Sequence, residues 1–163
     1  MNGQSYLYTG PDGVQYHVYT QTNLVTTATT YDDSAFTYFG TWNTYGPDSA
    51  LYGGSDHWSD DPAASYGFLF SGTGVTVYVQ TAPWFGIASY AVDGGMGTDF
   101  DAYSPARANQ VVAFRSGPLA PGTHRLIVRN TGRKNPANTN AFVRLETDRA
   151  DIGNGAIIPP LAP

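Results

Sequence analysis

One stretch of the chain decides its fold: Tyr66-Gly67-Phe68-Leu69-Phe70-Ser71-Gly72-Thr73-Gly74-Val75-Thr76-Val77-Tyr78-Val79. Its first five residues are mostly apolar and predict a buried strand. Gly72-Thr73-Gly74 predicts a tight reversal of the chain. The residues that follow alternate with a period of two, so Val75, Val77 and Val79 should share one face of a second strand.

Other segments have the same strand-like composition. Seven are predicted as strands: residues 6–8, 14–19, 24–31, 87–92, 111–114, 125–129 and 141–145. The first two flank Gly10-Pro11-Asp12-Gly13, which suits a type I turn followed by a glycine bulge, so they are predicted to form a hairpin. No window shows a sustained helical period. Many short strands separated by turns predict an all-β sandwich or barrel.

The composition excludes several functional classes. The chain has 163 residues, enough for one domain with its own core. It contains no Cys, so disulfides, zinc fingers, iron–sulfur sites and Cys nucleophiles are excluded. No apolar run approaches the roughly 18 residues of a membrane span, so we expect no membrane insertion.

The net charge of −5 is divided unevenly along the chain. Residues 1–106 contain ten acidic side chains and no Lys or Arg, whereas residues 107–163 contain all eight Lys and Arg and three acids. Two interpretations remain open: the halves pair in space, or they form a polarised ligand face. In either case an acidic chain makes nucleic acid an unexpected partner.

An ordered series of motifs runs through most of the chain. The series is Tyr31-Asp32-Asp33-Ser34, Tyr38-Phe39-Gly40-Thr41-Trp42, Tyr52-Gly53-Gly54-Ser55-Asp56-His57, Phe68-Leu69-Phe70-Ser71-Gly72-Thr73-Gly74-Val75, Gly86-Ile87-Ala88, Val92-Asp93-Gly94, Tyr103-Ser104-Pro105, Leu119-Ala120-Pro121-Gly122-Thr123-His124 and Thr131-Gly132-Arg133-Lys134-Asn135-Pro136. In this order, residues 31–152 resemble the galactose-binding-domain-like β-sandwich modules that accompany carbohydrate-active and cell-surface proteins. The resemblance implies a jelly-roll sandwich, usually non-catalytic, whose loops hold a sugar. It is specific to the fold rather than to any ligand.

The expected fold class is therefore all-β: a jelly-roll β-sandwich, galactose-binding-domain-like, with an extra N-terminal β-hairpin. The expected organisation is a hairpin extension over residues 1–30, the carbohydrate-binding-like sandwich over 31–152, and a tail or linker over 153–163. The Pro-rich end of the chain is not expected to form a regular element.

Sugar recognition supplies the criterion for candidate site residues. An aromatic ring stacks on the C–H face of a pyranose, and planar polar side chains bind its hydroxyls. Trp58 lies with Asp56 and His57 in a polar segment predicted as a loop; alternatively, this Trp covers an end of the sandwich. Trp84 and Phe85 lie in another predicted loop, where they contact a ligand or partner or else pack within the loop.

Two further segments offer polar or aromatic contacts. Residues 133–138 supply hydrogen-bond donors that suit carboxylates or hydroxyls; alternatively, they form a plain solvated turn. Tyr103 is a weaker candidate, with loop packing as the alternative. The full predicted sugar-binding set is Asp56, His57, Trp58, Trp84, Phe85, Tyr103, Arg133, Lys134, Asn135 and Asn138.

The resemblance also implies a structural calcium that joins the first and last strands of such modules. Calcium prefers several carboxylate and carbonyl oxygens. The candidate ligands are Asp32 and Asp33 near the start of the domain and Glu146 and Asp148 near its end. The alternative is that these carboxylates form ion pairs with Arg144 and Arg149.

Catalytic motifs are missing from the sequence. It has neither the Gly-x-Ser-x-Gly nor the His-Glu-x-x-His pattern, and its acidic pairs lie on apparent turns. We therefore expect no enzyme but a carbohydrate-binding, lectin-like or adhesion module whose partner is a glycan or polysaccharide. The alternative is a structural or protein-interaction module, a homo-oligomer through its hairpin. An extracellular, cell-surface or virion-associated location suits both.

Overall fold

The computed structural model describes residues 27–159 throughout and, before them, the backbone of two strands, residues 5–9 and 15–19. These residues form β-strands in antiparallel ladders and two short 3-10 turns, Asp33–Ala35 and Tyr52–Gly54. In chain order the strands are β1 (Ser5–Thr9), β2 (Gln15–Tyr19), β3 (Ala28–Asp32), β4 (Thr37–Phe39), β5 (Asn43–Tyr45), β6 (Asp56–Ser59), β7 (Ser65–Gly72), β8 (Gly74–Thr81), β9 (Ile87–Val92), β10 (Thr98–Asp101), β11 (Ala108–Arg115), β12 (Gly122–Arg133), β13 (Leu145–Thr147), β14 (Arg149–Gly153) and β15 (Ala156–Ile158).

Two sheets form the body of the molecule. The larger has the order β10-β9-β12-β7-β15, and β4 pairs with β7 along the same edge as β15. The second has the order β11-β8-β14-β3. Neighbours such as β7 and β12 are far apart in sequence, as in a jelly roll. The predicted all-β jelly-roll sandwich is confirmed.

The core lies between these two sheets. The inward residues of β7 and β8 pack in one hydrophobic cluster, to which β12 adds Leu126 and Val128. Val75, Val77 and Val79 are all buried, as the period of two predicted. Burying a side chain of this size contributes about 1.5–3 kcal/mol, so the alternation both orients the strands and stabilises them.

A third sheet, with the order β13-β6-β5, holds the residues of the candidate site. It is tied to the four-stranded sheet at the end of β8, where Gln80 N donates to Glu146 Oε2 over 2.7 Å. It is also tied by the 3-10 turn after β3, because Asp33 lies 2.8 Å from His57 of β6.

The N-terminal hairpin is present as predicted. β1 pairs with β2 from Ser5↔Tyr19 to Thr9↔Gln15. The turn predicted at residues 10–13 lies outside the described residues, as do the tyrosine side chains of this hairpin. No helix in the described ranges is long and apolar enough to cross a membrane.

Two expectations about the sandwich are corrected, and one aromatic residue of the motif series lies outside the core. Residues 141–144 are irregular, and the strand begins only at Leu145. The tail predicted from residue 153 instead adds β15 to the edge of β7, because Ile157 is buried in the core. Phe39, which belongs to a motif of the resemblance, is 51% exposed, since β4 directs it away from the core.

Candidate functional site

The three-stranded sheet presents one polar and aromatic face. Tyr45 of β5 lies opposite Asp56 of β6, and Glu146 of β13 lies opposite Trp58. Residues directly opposite in an antiparallel pair point to the same face, as do residues two apart on one strand. These four side chains therefore share a face. The segment around Trp58 was predicted as a loop, but it is strand β6.

The segment after β8 supplies two more aromatic side chains. The ring centroids of Trp84 and Phe85 lie 6.1 Å apart. Phe85 forms a bridge with Arg144, and Gly86 N donates to the Arg144 carbonyl over 2.9 Å. These backbone contacts fix the loop of residues 82–86 to the segment that leads into β13.

Together the sheet face and this loop line a cavity of about 300 Å³. Its aromatic lining is Tyr45, Trp58, Trp84 and Phe85. Its polar lining is Asp56, Gln80, Arg107, Arg144 and Glu146. The volume is at the lower end of the range for ligand sites, about 300–1,000 Å³.

Both arginines of the cavity are held by aromatic and acidic neighbours. Arg144 lies 3.8 Å from the Trp58 ring centroid and donates to both carboxylate oxygens of Asp60 over 2.8 Å. Arg107 donates to Asp48 over 2.7 Å and to Gln80 over 2.6 Å. Because each guanidinium has a carboxylate partner, the arginines are fixed in place and their charge is balanced.

Gln80 connects the two carboxylates of the cavity. Its side-chain amide donates to Asp56 Oδ2, and its backbone N–H donates to Glu146 Oε2. The second oxygens of these carboxylates, Asp56 Oδ1 and Glu146 Oε1, are buried and have no hydrogen-bond partner in the described part of the chain. The network therefore holds both acids in position and leaves one oxygen of each unused.

Burial raises the pKa of both carboxylates. The pKa of Asp56 rises to about 7, first because burial disfavours the charged form and then because Asp33 and Asp148 lie nearby. The pKa of Glu146 rises well above its usual range, again through burial and then through the charge of Asp56. Each acid thus keeps its proton at a pH where an exposed carboxyl would have lost it.

The structure brings four of the predicted sugar-binding residues together in this cavity: Asp56, Trp58, Trp84 and Phe85. His57 points to the other face of the sheet, where it lies 2.8 Å from Asp33 Oδ2 and stacks on Tyr38. Tyr103 forms a bridge with Ala82 at the base of the loop. His57 and Tyr103 therefore do not line the cavity.

The predicted polar set in residues 133–138 supports the loop instead of lining the cavity. Asn138 is buried and donates to the Phe85 carbonyl over 3.0 Å. Arg133 pairs with Asp99, and Asn135 donates to Asp101 over 2.7 Å. The Lys134 ammonium donates to the Asn140 carbonyl. All four residues are engaged in contacts within the protein.

The predicted calcium set lies where the first and last strands adjoin, since Asp33 N donates to the Asp148 carbonyl over 3.1 Å. Its side chains have separate partners: Asp32 accepts from Ser34 N, and Asp148 accepts from Tyr52 N. Within residues 27–159, no group of three or more acidic or His side chains is arranged to hold a metal ion. The set therefore does not fit a preformed site, and calcium binding by Asp32, Asp33, Glu146 and Asp148 stays a prediction. An unchanged melting temperature when EDTA is added to a calcium-loaded sample would contradict it.

The alternative, in which these four carboxylates pair with Arg144 and Arg149, does not match the ion pairs of the structure. Arg144 pairs with Asp60, and Arg149 pairs with Asp151. Burial raises the pKa of both Asp33 and Asp148 to about 6, against the lowering effects of His57 on Asp33 and of Tyr52 on Asp148.

Four residues of the cavity were not predicted from the sequence: Tyr45, Gln80, Arg107 and Arg144. Tyr45 ends a three-residue strand, and Gln80 follows the alternating valines of β8. The local sequence offers one signal, the polar Gln80 directly after the buried valines of β8. It does not mark the other three, because their place in the cavity is set by contacts with distant parts of the chain.

No known protein family profile matches the chain. A curated relative, an A type blood N-acetyl-alpha-D-galactosamine deacetylase from Flavonifractor plautii, is 32% identical over 94 residues. These residues are 58% of this chain and 12% of the deacetylase, so the chain spans a small part of the length of this relative.

Solved structures with a similar fold are carbohydrate-active enzymes. A family two carbohydrate esterase from Cellvibrio japonicus superposes with a TM-score of 0.58 at 12% identity, over 85% of this chain and 37% of the esterase. A GH26-CBM35 β-(1,4)-mannanase from Podospora anserina gives 0.53 at 14% identity, over 83% and 29%. An exo-β-1,3-galactanase from Phanerochaete chrysosporium gives 0.54 at 13% identity, over 86% and 31%. At these identities the likeness shows the fold.

The expectation that this chain is not an enzyme is corrected by these comparisons. The curated relative is a deacetylase, and one of the structural neighbours is a carbohydrate esterase. Both matches cover only part of those proteins. Enzymatic activity is therefore open for this chain.

Proposed function

We propose that this chain binds carbohydrate in the cavity lined by Tyr45, Trp58, Trp84 and Phe85. The observation that carries the proposal is the combination of aromatic rings with Gln80 and fixed charged groups in one cavity of about 300 Å³. Aromatic rings can stack on the C–H face of a sugar ring, while planar polar groups bind its hydroxyls.

The comparisons support a carbohydrate as the ligand class. The relative is named for N-acetyl-α-D-galactosamine, and the neighbours include an esterase, a mannanase and a galactanase. Their substrates differ, so they support a sugar ligand but not a particular sugar. We expect a single shallow site to bind with a Kd of about 0.1–1 mM, or roughly −4 to −5.5 kcal/mol. Useful avidity then comes from multivalency.

The test is a glycan array probed with the wild-type chain, Trp58→Ala and Trp84→Ala. Trp84→Ala is the cleaner variant, because Trp58 also packs against the Arg144 guanidinium. We expect both variants to lose at least about tenfold in affinity for any glycan that the wild type binds.

Two controls separate this cavity from other aromatic positions. Phe39→Ala removes an exposed ring on the outer face of the large sheet, and Tyr103→Ala removes a residue that the sequence predicted but that lies outside the cavity. Both should bind as the wild type does. Binding that survives in folded Trp84→Ala and disappears in Tyr103→Ala would place the site elsewhere, and a blank array would refute the proposal.

A further inference from the structure

Asp56 and Glu146 differ from the other charged groups of the cavity. Arg144 is neutralised by Asp60 and Arg107 by Asp48. Neither Asp56 nor Glu146 has an ion-pair partner within residues 27–159. Burial raises the pKa of both acids, so a cation binds their ionised forms and lowers both pKa values in doing so. The charges of these ionised forms have no other partner in the cavity.

Each acid also has one buried oxygen without a hydrogen-bond partner in the described part of the chain. Asp56 is 2% exposed and Glu146 is 4% exposed, and both line the cavity. Gln80 satisfies one oxygen of each and leaves Asp56 Oδ1 and Glu146 Oε1 without a partner. A buried acceptor left unpaired destabilises the folded protein, and more so if it is charged. A ligand that donates to both oxygens would relieve that destabilisation.

The cross-strand register places the two acidic side chains close together on one face of the sheet. Glu146 lies opposite Trp58, and Asp56 is two residues from Trp58 on the same face. Such diagonal neighbours are separated by about 7–8 Å between Cα atoms and less between side chains. The mutual charge repulsion of the two acids, which raises the pKa of Glu146, agrees with this proximity.

The surroundings favour an ammonium group over a metal ion. Calcium takes about six to eight oxygen ligands. The cavity offers two carboxylates, and the Gln80 carbonyl oxygen already accepts from Arg107. A primary ammonium has three N–H donors, can use two carboxylate oxygens, and is attracted to the faces of nearby aromatic rings.

We propose that Asp56 and Glu146 bind the ammonium group of an amino sugar, a sugar whose amine is free and not acetylated. This inference rests on the proposed function, because it specifies the sugar class for the same cavity. An N-acetyl group at that position brings a carbonyl oxygen toward two acceptors and removes the positive charge. A neutral hydroxyl keeps a donor but supplies no charge. The cavity therefore selects the free amine.

The test compares sugars that differ only at one carbon. The full chain is titrated by NMR at pH 7 with glucose, glucosamine and N-acetylglucosamine, and with galactose, galactosamine and N-acetylgalactosamine. EDTA is present throughout, so that no divalent cation bridges sugar and carboxylate. We expect one amino sugar to bind about tenfold more tightly than its neutral and acetylated counterparts, as a charged hydrogen bond allows.

Matched variants assign the effect to the two acids. Asp56→Asn and Glu146→Gln keep the shape of the side chains, and each should reduce the preference for the amine to less than about threefold. Asp93→Asn makes the same change in net charge at an exposed turn outside the cavity and should retain the preference. Circular dichroism and melting temperature establish that each variant is folded, and the Asp56 and Glu146 variants test the assignment independently.

The outcomes separate the two proposals. Equal binding of neutral and amino sugars overturns the amine assignment and leaves carbohydrate binding intact. An undiminished preference in both folded acid variants also overturns the assignment. Absence of binding to all six sugars and to the glycan array contradicts both the carbohydrate-binding proposal and the amine assignment.

Discussion

The acidic residues of the cavity show how strongly burial controls a carboxylate in this protein. Asp93 is exposed and accepts from the Arg125 N–H, so its pKa is lowered by a hydrogen bond from His124 and by this backbone donor. Asp56 carries the same chemical group, but burial raises its pKa to about 7. The difference arises from solvent access, because both residues have hydrogen-bond donors nearby.

The raised pKa of Asp56 predicts a loss of stability with rising pH. In the unfolded chain this carboxyl releases its proton near pH 4, whereas the folded protein keeps it until about pH 7. Between these values the folded state binds more protons, so stability falls as pH rises through this window. Because one pKa unit is worth about 1.4 kcal/mol, the loss attributable to Asp56 is at most about 4 kcal/mol.

Asp56→Asn tests this residue directly. Urea unfolding of the wild type should show lower stability at pH 8 than at pH 5, and the variant should lose less over the same range. The contribution of Asp56 is then gone, while the raised pKa values of Asp33, Asp148 and Glu146 still lower stability as pH rises. Asn still offers a carbonyl oxygen to the Gln80 amide, so the packing is kept. Asp99→Asn is the control, because the exposed Asp99 pairs with an arginine that keeps its charge throughout this range, and it should leave the pH profile of the wild type almost unchanged. An Asp56→Asn profile parallel to the wild type would contradict the assignment.

At the scale of elements, the site depends on one loop that is held by another. The segment of residues 133–138 was predicted to bind ligand, but Asn138 and the nearby Asn140 support residues 82–86 instead. Asn138 donates to the Phe85 carbonyl over 3.0 Å, and Asn140 donates to the Pro83 carbonyl over 3.2 Å. The orientation of Trp84 and Phe85 therefore depends on residues about fifty positions away in the sequence.

Asn138→Ala should weaken both the fold and sugar binding. The substitution removes a donor to Phe85 and the acceptor for the Asn140 N–H, so buried backbone groups lose their partners. We expect a loss of about 1–3 kcal/mol in the free energy of unfolding. Affinity for any glycan found on the array should also fall, although Asn138 does not line the cavity.

Asn135→Ala is the matched control for this element. Asn135 lies in the same segment and its side chain donates to Asp101 and accepts from the Ala137 N–H, so neither of these bonds involves the Trp84–Phe85 loop. Denaturant unfolding and glycan titration of the two variants should differ clearly. If both variants bind glycan like the wild type, the loop does not depend on Asn138 for its position.

For the whole molecule, the sequence predicts those strands and turns that depend on the local alternation of apolar residues and on turn-forming residues. Val75, Val77 and Val79 alternate on one strand, and Gly72-Thr73-Gly74 marks the turn before them, so the sequence was sufficient for these two strands and the turn between them. It did not show that β7 and β8 belong to different sheets. The cavity is different, because the pairing of β5, β6 and β13 joins residues from 11 positions apart, as Tyr45 and Asp56 are, to 90 positions apart, as His57 and Thr147 are. Trp58 and Trp84 could be identified as unusual aromatics, whereas Tyr45 acquires its role only from that register and Arg107 from its hydrogen bonds to Gln80 and Asp48.

The same distinction applies to the N-terminal boundary, which the sequence placed after residue 30. In the structure, β3 spans Ala28–Asp32 and pairs with β14, and Thr30 Oγ1 donates to Asp151 over 2.8 Å. The edge strand of the four-stranded sheet therefore begins before that boundary. A hairpin extension that can be removed without damage to the sandwich ends no later than residue 27.

Two truncations test this boundary and the interaction alternative together. Deletion of residues 1–26 should leave the melting temperature of the sandwich within a few degrees of the full chain, whereas deletion of residues 1–32 removes β3 and exposes the edge of β14. We expect the longer deletion to unfold at least about 5 °C lower, since about 1 kcal/mol shifts Tm by roughly 2–8 °C in domains of this size.

Sedimentation of the full chain and of the shorter truncation tests whether the hairpin mediates self-association. A full chain that is oligomeric and a monomeric, folded 27–163 fragment would support self-association through the β1–β2 hairpin, whereas two monomers would contradict it. Equal stability of the two truncations would show that β3 is not an integral part of the sandwich.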